Sequence, residues 1–240
     1  TGDDGRAGHH HGGNLRGRGG TVTCRLHASI DPGGPEVNGD GRHRRSQAER
    51  SATTRAALLA SARELFAERG FAGAGREEIV RRAGVTRGAL YHHFTGKEDL
   101  FRVVFEELER EVTERVAKAA VSTPDPLAAL RRGCQEFLDA ALDPAVQRIV
   151  LVDAPAVLGW STWREIEARH GLGLTTMGLQ AAMDADAIER QPLEPLAHML
   201  LAALNEAALL VAGSTDPTTT RTDVGRVVDH LLDRLSTPPS

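Results

Sequence analysis

Apolar residues recur at three- and four-residue intervals through most of the chain, and no run alternates with the period of two that marks a half-buried strand. The spacing predicts a first helix over about 47–69, with Leu58, Leu59, Ala62, Leu65 and Phe66 on one face and Gly70 as its stop. Two short helices follow, about 76–83 and 87–93. Ile79, Val80 and Ala83 form the inner edge of one, and Leu90 and Phe94 face inward from the other. Gly84 supplies a left-handed turn residue between them, and the Thr86 hydroxyl is placed to cap the second. A fourth helix, about 97–121, carries a stripe of Leu100, Val104, Leu108, Val112 and Val116.

Pro124-Asp125-Pro126 opens a fifth helix, whose inner face is Leu127, Leu130, Cys134, Phe137, Leu138 and Ala141. Asp143-Pro144 starts a sixth that reaches about Val152, where Pro155 limits it. The remaining helices fall at about 162–185, with Gly171 and Gly173 as kink points, at 193–212 and at 220–235. The fold expected is all-α, with about nine helices. Residues 1–45 hold 12 of the 25 glycines and too few aliphatic residues to bury a core, so a disordered tail is expected there. The expected domains are then 46–96, a three-helix unit, and 97–236, a larger helical body.

Charge sharpens this division. The formal net charge is -4, yet residues 42–102 carry 13 Arg and Lys against 7 Asp and Glu, while residues 103–240 carry 12 against 21. A basic unit on an acidic body suits a polyanion-binding domain, with Arg42, Arg44 and Arg45 leading into its first helix. The two cysteines, Cys24 and Cys134, show neither a disulfide framework nor zinc spacing, which fits a reducing cytoplasm. His9-His10-His11 lies in a glycine tract without fixed partners and reads as solvated. The most apolar stretch, residues 199–213, is short for a membrane span and is interrupted by Asn205-Glu206, so no membrane role is expected. Neither a nucleophile motif, a phosphate loop nor a metal-chelating histidine pair is evident; the adjacent His92 and His93 cannot chelate from one helical face. No enzyme activity, cofactor or metal is therefore expected.

Residues 76–101, Arg-Glu-Glu-Ile-Val-Arg-Arg-Ala-Gly-Val-Thr-Arg-Gly-Ala-Leu-Tyr-His-His-Phe-Thr-Gly-Lys-Glu-Asp-Leu-Phe, have the layout of a helix-turn-helix. The outward face of the second helix presents Arg87, Tyr91, His92 and His93 around Gly88, which has no side chain to hold a base edge away. The wording of this segment closely resembles the tetracycline-repressor (TetR) family of bacterial regulators from about Arg55 to Phe105. That resemblance implies a recognition helix in the major groove. Thr86 and Arg87 would stand at its base-reading end, with Arg87 suited to guanine O6 and N7. Gly88 would permit close approach, and Tyr91, His92 and His93 match positions that contact phosphates or bases in relatives. Arg55 and Arg76 would add charge at the edges. Lys97, at a helix start with free backbone N–H groups, makes a phosphate site. One departure stands out: Ala74-Gly75-Arg76 replaces the usual Thr or Ser before the first helix of the pair, so the hydroxyl used there on a phosphate is missing.

The same resemblance implies that the last two helices pair with those of a second copy, and their apolar residues on more than one face agree. Leu201, Leu204, Val224, Val228 and Leu231 are the interface residues expected. A homodimer would bind an inverted-repeat operator in double-stranded DNA. Within the body, Cys134, Trp160, Trp163, His170, Met177, His198 and Asn205 are the candidates for contacting a small effector. Packing is the competing role for the tryptophans and Cys134, and an interface hydrogen bond for His198 and Asn205. The function implied is a cytoplasmic one-component regulator, a repressor released by a small, mostly apolar ligand; the alternative is an architectural DNA binder without effector.

Overall fold

The computed structural model describes residues 46–236, and the expectations for residues 1–45, with Cys24, His9–His11 and Arg42, Arg44 and Arg45, lie outside the described residues. Local signals start the helices where capping chemistry is present. Helix α1 (Gln47–Gly73) begins at a reciprocal cap: the Glu49 N–H donates to the Ser46 hydroxyl at 3.1 Å, and the Ser46 N–H donates to the Glu49 carboxylate at 2.7 Å. Helices α2 (Arg76–Arg82) and α3 (Arg87–His93) follow, with Gly84 at φ 66° in their turn and the Thr86 hydroxyl accepting from Ala89 N–H at 3.2 Å. Helix α4 (Lys97–Val121) leads into the body.

Helix α5 (Pro126–Ala140) is capped by Asp125, which accepts from Ala128 N–H. Next comes a π-helical stretch (Val146–Asp153) that runs directly into α6 (Ala154–Leu158). Pro155 does not end the sixth helix as expected. The chain stays helical through it to Leu158, with the π-helical stretch immediately before it. The predicted helix at 162–185 is in fact α7 (Trp160–Glu167), a second π-helical stretch (Ala168–Leu172) and α8 (Gly173–Asp184), the irregular turn lying at Gly171. Helix α9 spans Leu193–Ala212, and α10 spans Pro217–Leu235, starting earlier than expected because Asp216 caps it ahead of Pro217. Among the described residues there is no strand, only an isolated bridge between Ile188 and Ser236, so the fold is all-α.

One apolar core joins α1–α4 to the π-helical stretch, α6 and α7. Its largest fully buried members are Phe66, Phe101, Phe105, Leu58 and Leu65, with Phe101 edge-on to both Phe66 and Phe71. A second core, from Leu130 and Leu138 through Leu179 and Met183 to Leu200 and Leu232, binds α5, α8, α9 and α10 together. Helix α9 has the length and composition of a membrane span, five residues longer than the apolar stretch suggested. Its inner stripe, from Ala197 through Leu204 to Val211, is nonetheless buried against protein.

The dimer assignment needs correction. Leu201, Leu204 and Val228 are 5 %, 4 % and 3 % exposed within a single chain, and Val224 packs partly buried against the same cores, so these four serve the protomer's own interior. Of the five, only Leu231 is exposed. Helical spacing on a helix that is apolar all round does not say which face the protomer keeps for itself.

Candidate nucleic-acid interface and effector cavity

The short helix α3 is held from below by Leu90 and Phe94, both buried, and presents its other face to solvent. On that face the Arg87 guanidinium lies 5.7 Å from the centre of the Tyr91 ring and 3.9 Å from the Glu77 carboxylate, a loose, exposed pair worth little in water and easily exchanged for a stronger anion. Around Gly88 the surface is open: a Cβ built there would meet only the Thr86 hydroxyl, at 3.9 Å. The His92 and His93 rings meet edge to face at 5.1 Å. Burial, together with the nearby His92 and Arg55, holds the His93 pKa below the usual histidine value, which favours its neutral form. Arg55, on α1, lies over the Phe94 ring at 5.4 Å.

Ion pairing decides which cations of this unit are available. Arg69 and Arg81 pair with Glu78, Arg82 pairs with Glu64 and Glu68, Arg63 with Glu111, and Arg102 with Asp99 and Glu106. Among the described residues Arg50, Arg55 and Arg76 have no carboxylate partner, and all three are exposed. Arg63, Arg69, Arg81, Arg82 and Arg102 are thus engaged by carboxylates, while the free cations include Arg55 on α1 and Arg76 on α2, the two expected to add charge at the edges, together with Arg50.

Lys97 departs from the sequence reading. Its ammonium is turned inward, donating to Phe71 O at 2.8 Å and Ala74 O at 3.2 Å, and it stands 4.1 Å from the centre of the Phe71 ring. Two of its three N–H groups are therefore committed to the end of α1. There, Gly70 breaks the helix at φ 68° and ψ 174°, a conformation open almost solely to glycine. From the opposite side Asp153, at the end of the π-helical stretch, accepts from Phe71 N–H at 2.6 Å, and Arg148 crosses above Gly70. The break in α1 is clasped by α4 on one side and by the body on the other. Sequence reading missed Asp153 and Arg148 because both are distant in the chain from what they hold.

Within the body, a cavity of about 380 Å³ lies between α4, α5, α8 and α9. Its wall is mainly Val112, Val116, Leu130, Phe137, Leu174, Leu201 and Leu204. Small residues, Ala117, Ala120, Gly133, Gly171 and Gly178, also line it; at Gly178 the missing side chain lets Leu130 pack close, a Cβ there standing 3.0 Å from its methyl group. Of the effector candidates, Cys134 and Met177 line this cavity. Cys134 is buried, and burial pushes its thiol up to about 12, so it acts as an apolar wall rather than a nucleophile.

The other candidates are elsewhere. Trp160 is 68 % exposed and Trp163 half-buried, the two rings 5.0 Å apart with the Arg164 guanidinium above both; Trp160 fills neither core nor cavity. His170 sits partly buried on the second π-helical stretch, outside the cavity. Asn205 donates to Glu167, and His198 faces Arg164 at 3.4 Å, so both are internal partners of α7. His198 also borders a separate, polar hollow of about 410 Å³ with Ser161, Arg164 and Glu165. The residue missed altogether is Glu109, the only carboxyl among the described residues in the apolar cavity's wall. Its signal was a second stripe on α4, with Thr113, Ala117 and Ala120, beside the large apolar one.

Comparison with known proteins agrees with this layout. Residues 58–104 match the family model for bacterial regulatory proteins of the tetR family, and residues 127–235 match that of a tetracyclin repressor-like C-terminal domain. A solved TetR-family transcriptional regulator from Pectobacterium atrosepticum is 32 % identical and superposes with a TM-score of 0.70 over 82 % of this chain and 100 % of that one. Among curated relatives, the regulator CymR of Pseudomonas putida is 34 % identical over 52 % of this chain and 63 % of its own length. The activator FasR of Mycolicibacterium smegmatis is 36 % identical over 35 % of this chain and 39 % of its own. The chain thus spans about half the length of the curated relatives it matches.

Proposed function

Given that the chain belongs to the TetR family of bacterial transcriptional regulators, which are DNA-binding proteins and not enzymes, we propose that it is a ligand-responsive repressor. It binds an inverted-repeat operator as a homodimer and is released by a small, mostly apolar molecule. The observation that carries this reading is the cavity: about 380 Å³ of apolar space is walled along one side by α4, the same helix whose Lys97 holds the end of α1. An architectural DNA binder has no use for such a space, which falls in the size range of small-molecule sites. The activity divides accordingly, residues 46–96 reading DNA and residues 97–236 sensing and pairing, in the cytoplasm.

In the DNA-bound state α3 lies in the major groove, Arg87 leaving Glu77 to read a base and Gly88 letting the backbone approach, while Arg55, Arg76, Tyr91, His92 and His93 position the unit on phosphates and bases. Pairing of two copies is supported by an unpartnered apolar face. Met199, Leu209 and Leu210 on α9 and Val227 and Leu231 on α10 are 41–70 % exposed and lie at helical spacing along their two helices. Ligand in the cavity moves α4, and with it the separation of the paired α3 helices, a coupling of the usual order of about 1–3 kcal/mol.

Selection of bound sequences from fragments of the source genome tests the reading. The wild-type protein should enrich an inverted repeat, and Arg87→Ala should lose about 1–3 kcal/mol and relax preference at one position of each half-site. Unchanged base preference in the variant removes Arg87 from its role. Failure of the folded protein to retain any fragment at low ionic strength sinks the reading as a whole.

A further inference from the structure

An apolar occupant would account for most of the cavity wall, but not for Glu109. The Glu109 side chain is largely enclosed by protein and lines the cavity. Among the described residues it has neither a hydrogen-bond donor nor a cation beside it. Burial, and then the field of the Glu167 carboxylate, raise its pKa from the usual carboxylate range to about 7. Glu167 itself is satisfied, paired with Arg164 at 2.6 Å and accepting from Asn205, so that guanidinium is already engaged. The place is therefore short of one positive charge. An unpaired buried carboxyl is costly, and the partner that would relieve it has room only in the cavity.

We propose that the effector is a lipophilic cation, an amine or quaternary ammonium, whose charged head meets Glu109 and whose apolar body fills the space between α4, α5 and α8. The proposal rests on the sensor reading above and names its ligand class. Along α4 the cavity runs from Glu109 to Val121, about 18 Å at 1.5 Å per residue. Val121 and Met177, which line it and are exposed, mark where it opens, so the apolar body enters along the walls and the head stops at the inner end. Thr113, one turn from Glu109 on the same wall, offers a hydroxyl to the same head group. An anionic ligand is disfavoured, because its charge would meet Glu109. Glu109 lies twelve residues from Lys97 on α4, so a charge bound there acts directly on the helix that holds the reading unit.

The test is calorimetric titration of the full chain with three probes of equal length: 4-phenylbutyl-trimethylammonium, its neutral analogue with a tert-butyl head, and the corresponding carboxylate. The wild-type protein should bind the ammonium at least tenfold more tightly than the neutral analogue. Glu109→Gln, and Glu109→Met as a second variant, should abolish that preference and leave neutral binding intact, their folds checked by circular dichroism. The ammonium head does not titrate, so its affinity should rise about tenfold per pH unit up to about pH 7 and then level off. The field that raises the Glu109 pKa comes from Glu167 on α7; the other charged or titratable groups on the elements packed about α4 are Arg164 on α7, Arg169 and His170 on the π-helical stretch and His198 on α9, with Glu106 and Arg110 on α4 itself. A histidine-driven profile would instead survive Glu109→Gln. Binding without a preference for the cation, or a preference that persists in both variants, overturns this proposal alone. No binding by any of the three overturns the sensor reading and this proposal together.

Discussion

Replacing Lys97 by Met separates two roles for one ammonium. If it is a brace, its loss leaves Phe71 O and Ala74 O without their donor and removes a cation from the face of Phe71. Hydrogen bonds from a charged donor are worth about 1.5–3 kcal/mol and a partly exposed cation–π contact about 0.5–1 kcal/mol, and some of this returns because Met still fills the space. The expected loss is about 2–4 kcal/mol of stability, or about 4–15 °C in Tm for a folded body of this size. Denaturation followed by circular dichroism measures it, alongside operator affinity over a range of salt. If the ammonium were instead a free phosphate contact, stability would be unchanged, and the slope of log affinity against log salt would fall by about 1.8, about 0.9 for each protomer of the dimer. An unfolding free energy within about 0.5 kcal/mol of wild type, with that reduced slope, refutes the brace.

Two further perturbations test the junction and the paired face. Gly70→Ala should cost about 1–3 kcal/mol, because φ 68° with ψ 174° is nearly closed to other residues and the new Cβ would stand 2.2 Å from the Arg148 guanidinium. A urea midpoint unchanged from wild type would show that the break in α1 is not a demand of the fold. Leu231→Glu should give a folded monomer in sedimentation, whereas Leu201→Glu, which places a charge in the cavity wall, should unfold the body instead. A persistent Leu231→Glu dimer, or a folded monomeric Leu201→Glu, would reverse the assignment of these two faces.

Much of the architecture is legible in the order of residues, because helices α1 to α5 announce themselves through apolar spacing, and α1, α3 and α5 also through side-chain caps, signals that act within a few positions. Ser46 with Glu49, Thr86 at α3 and Asp125 before Pro126 are local hydrogen-bonding devices, and they begin their helices where the letters say. The reading face of α3 is legible for the same reason: Leu90 and Phe94 turn inward, so Arg87, Gly88 and Tyr91 must turn outward. The body is harder. Its helices are apolar on several sides, and its π-helical turns have no local signature beyond Gly171.

Chain chemistry alone thus settles an all-α fold, the helix-turn-helix and the residues it exposes, since these depend on neighbours three or four positions away. Only the tertiary packing decides how each remaining side chain is employed. It turns Lys97 inward, gives Leu201 and Val228 to the protomer, commits Asn205 to Glu167 and leaves Glu109 facing the cavity without a partner. Those outcomes depend on contacts between residues far apart in the chain, and on volume and charge left over once the helices have met, quantities that no periodicity within a single helix carries.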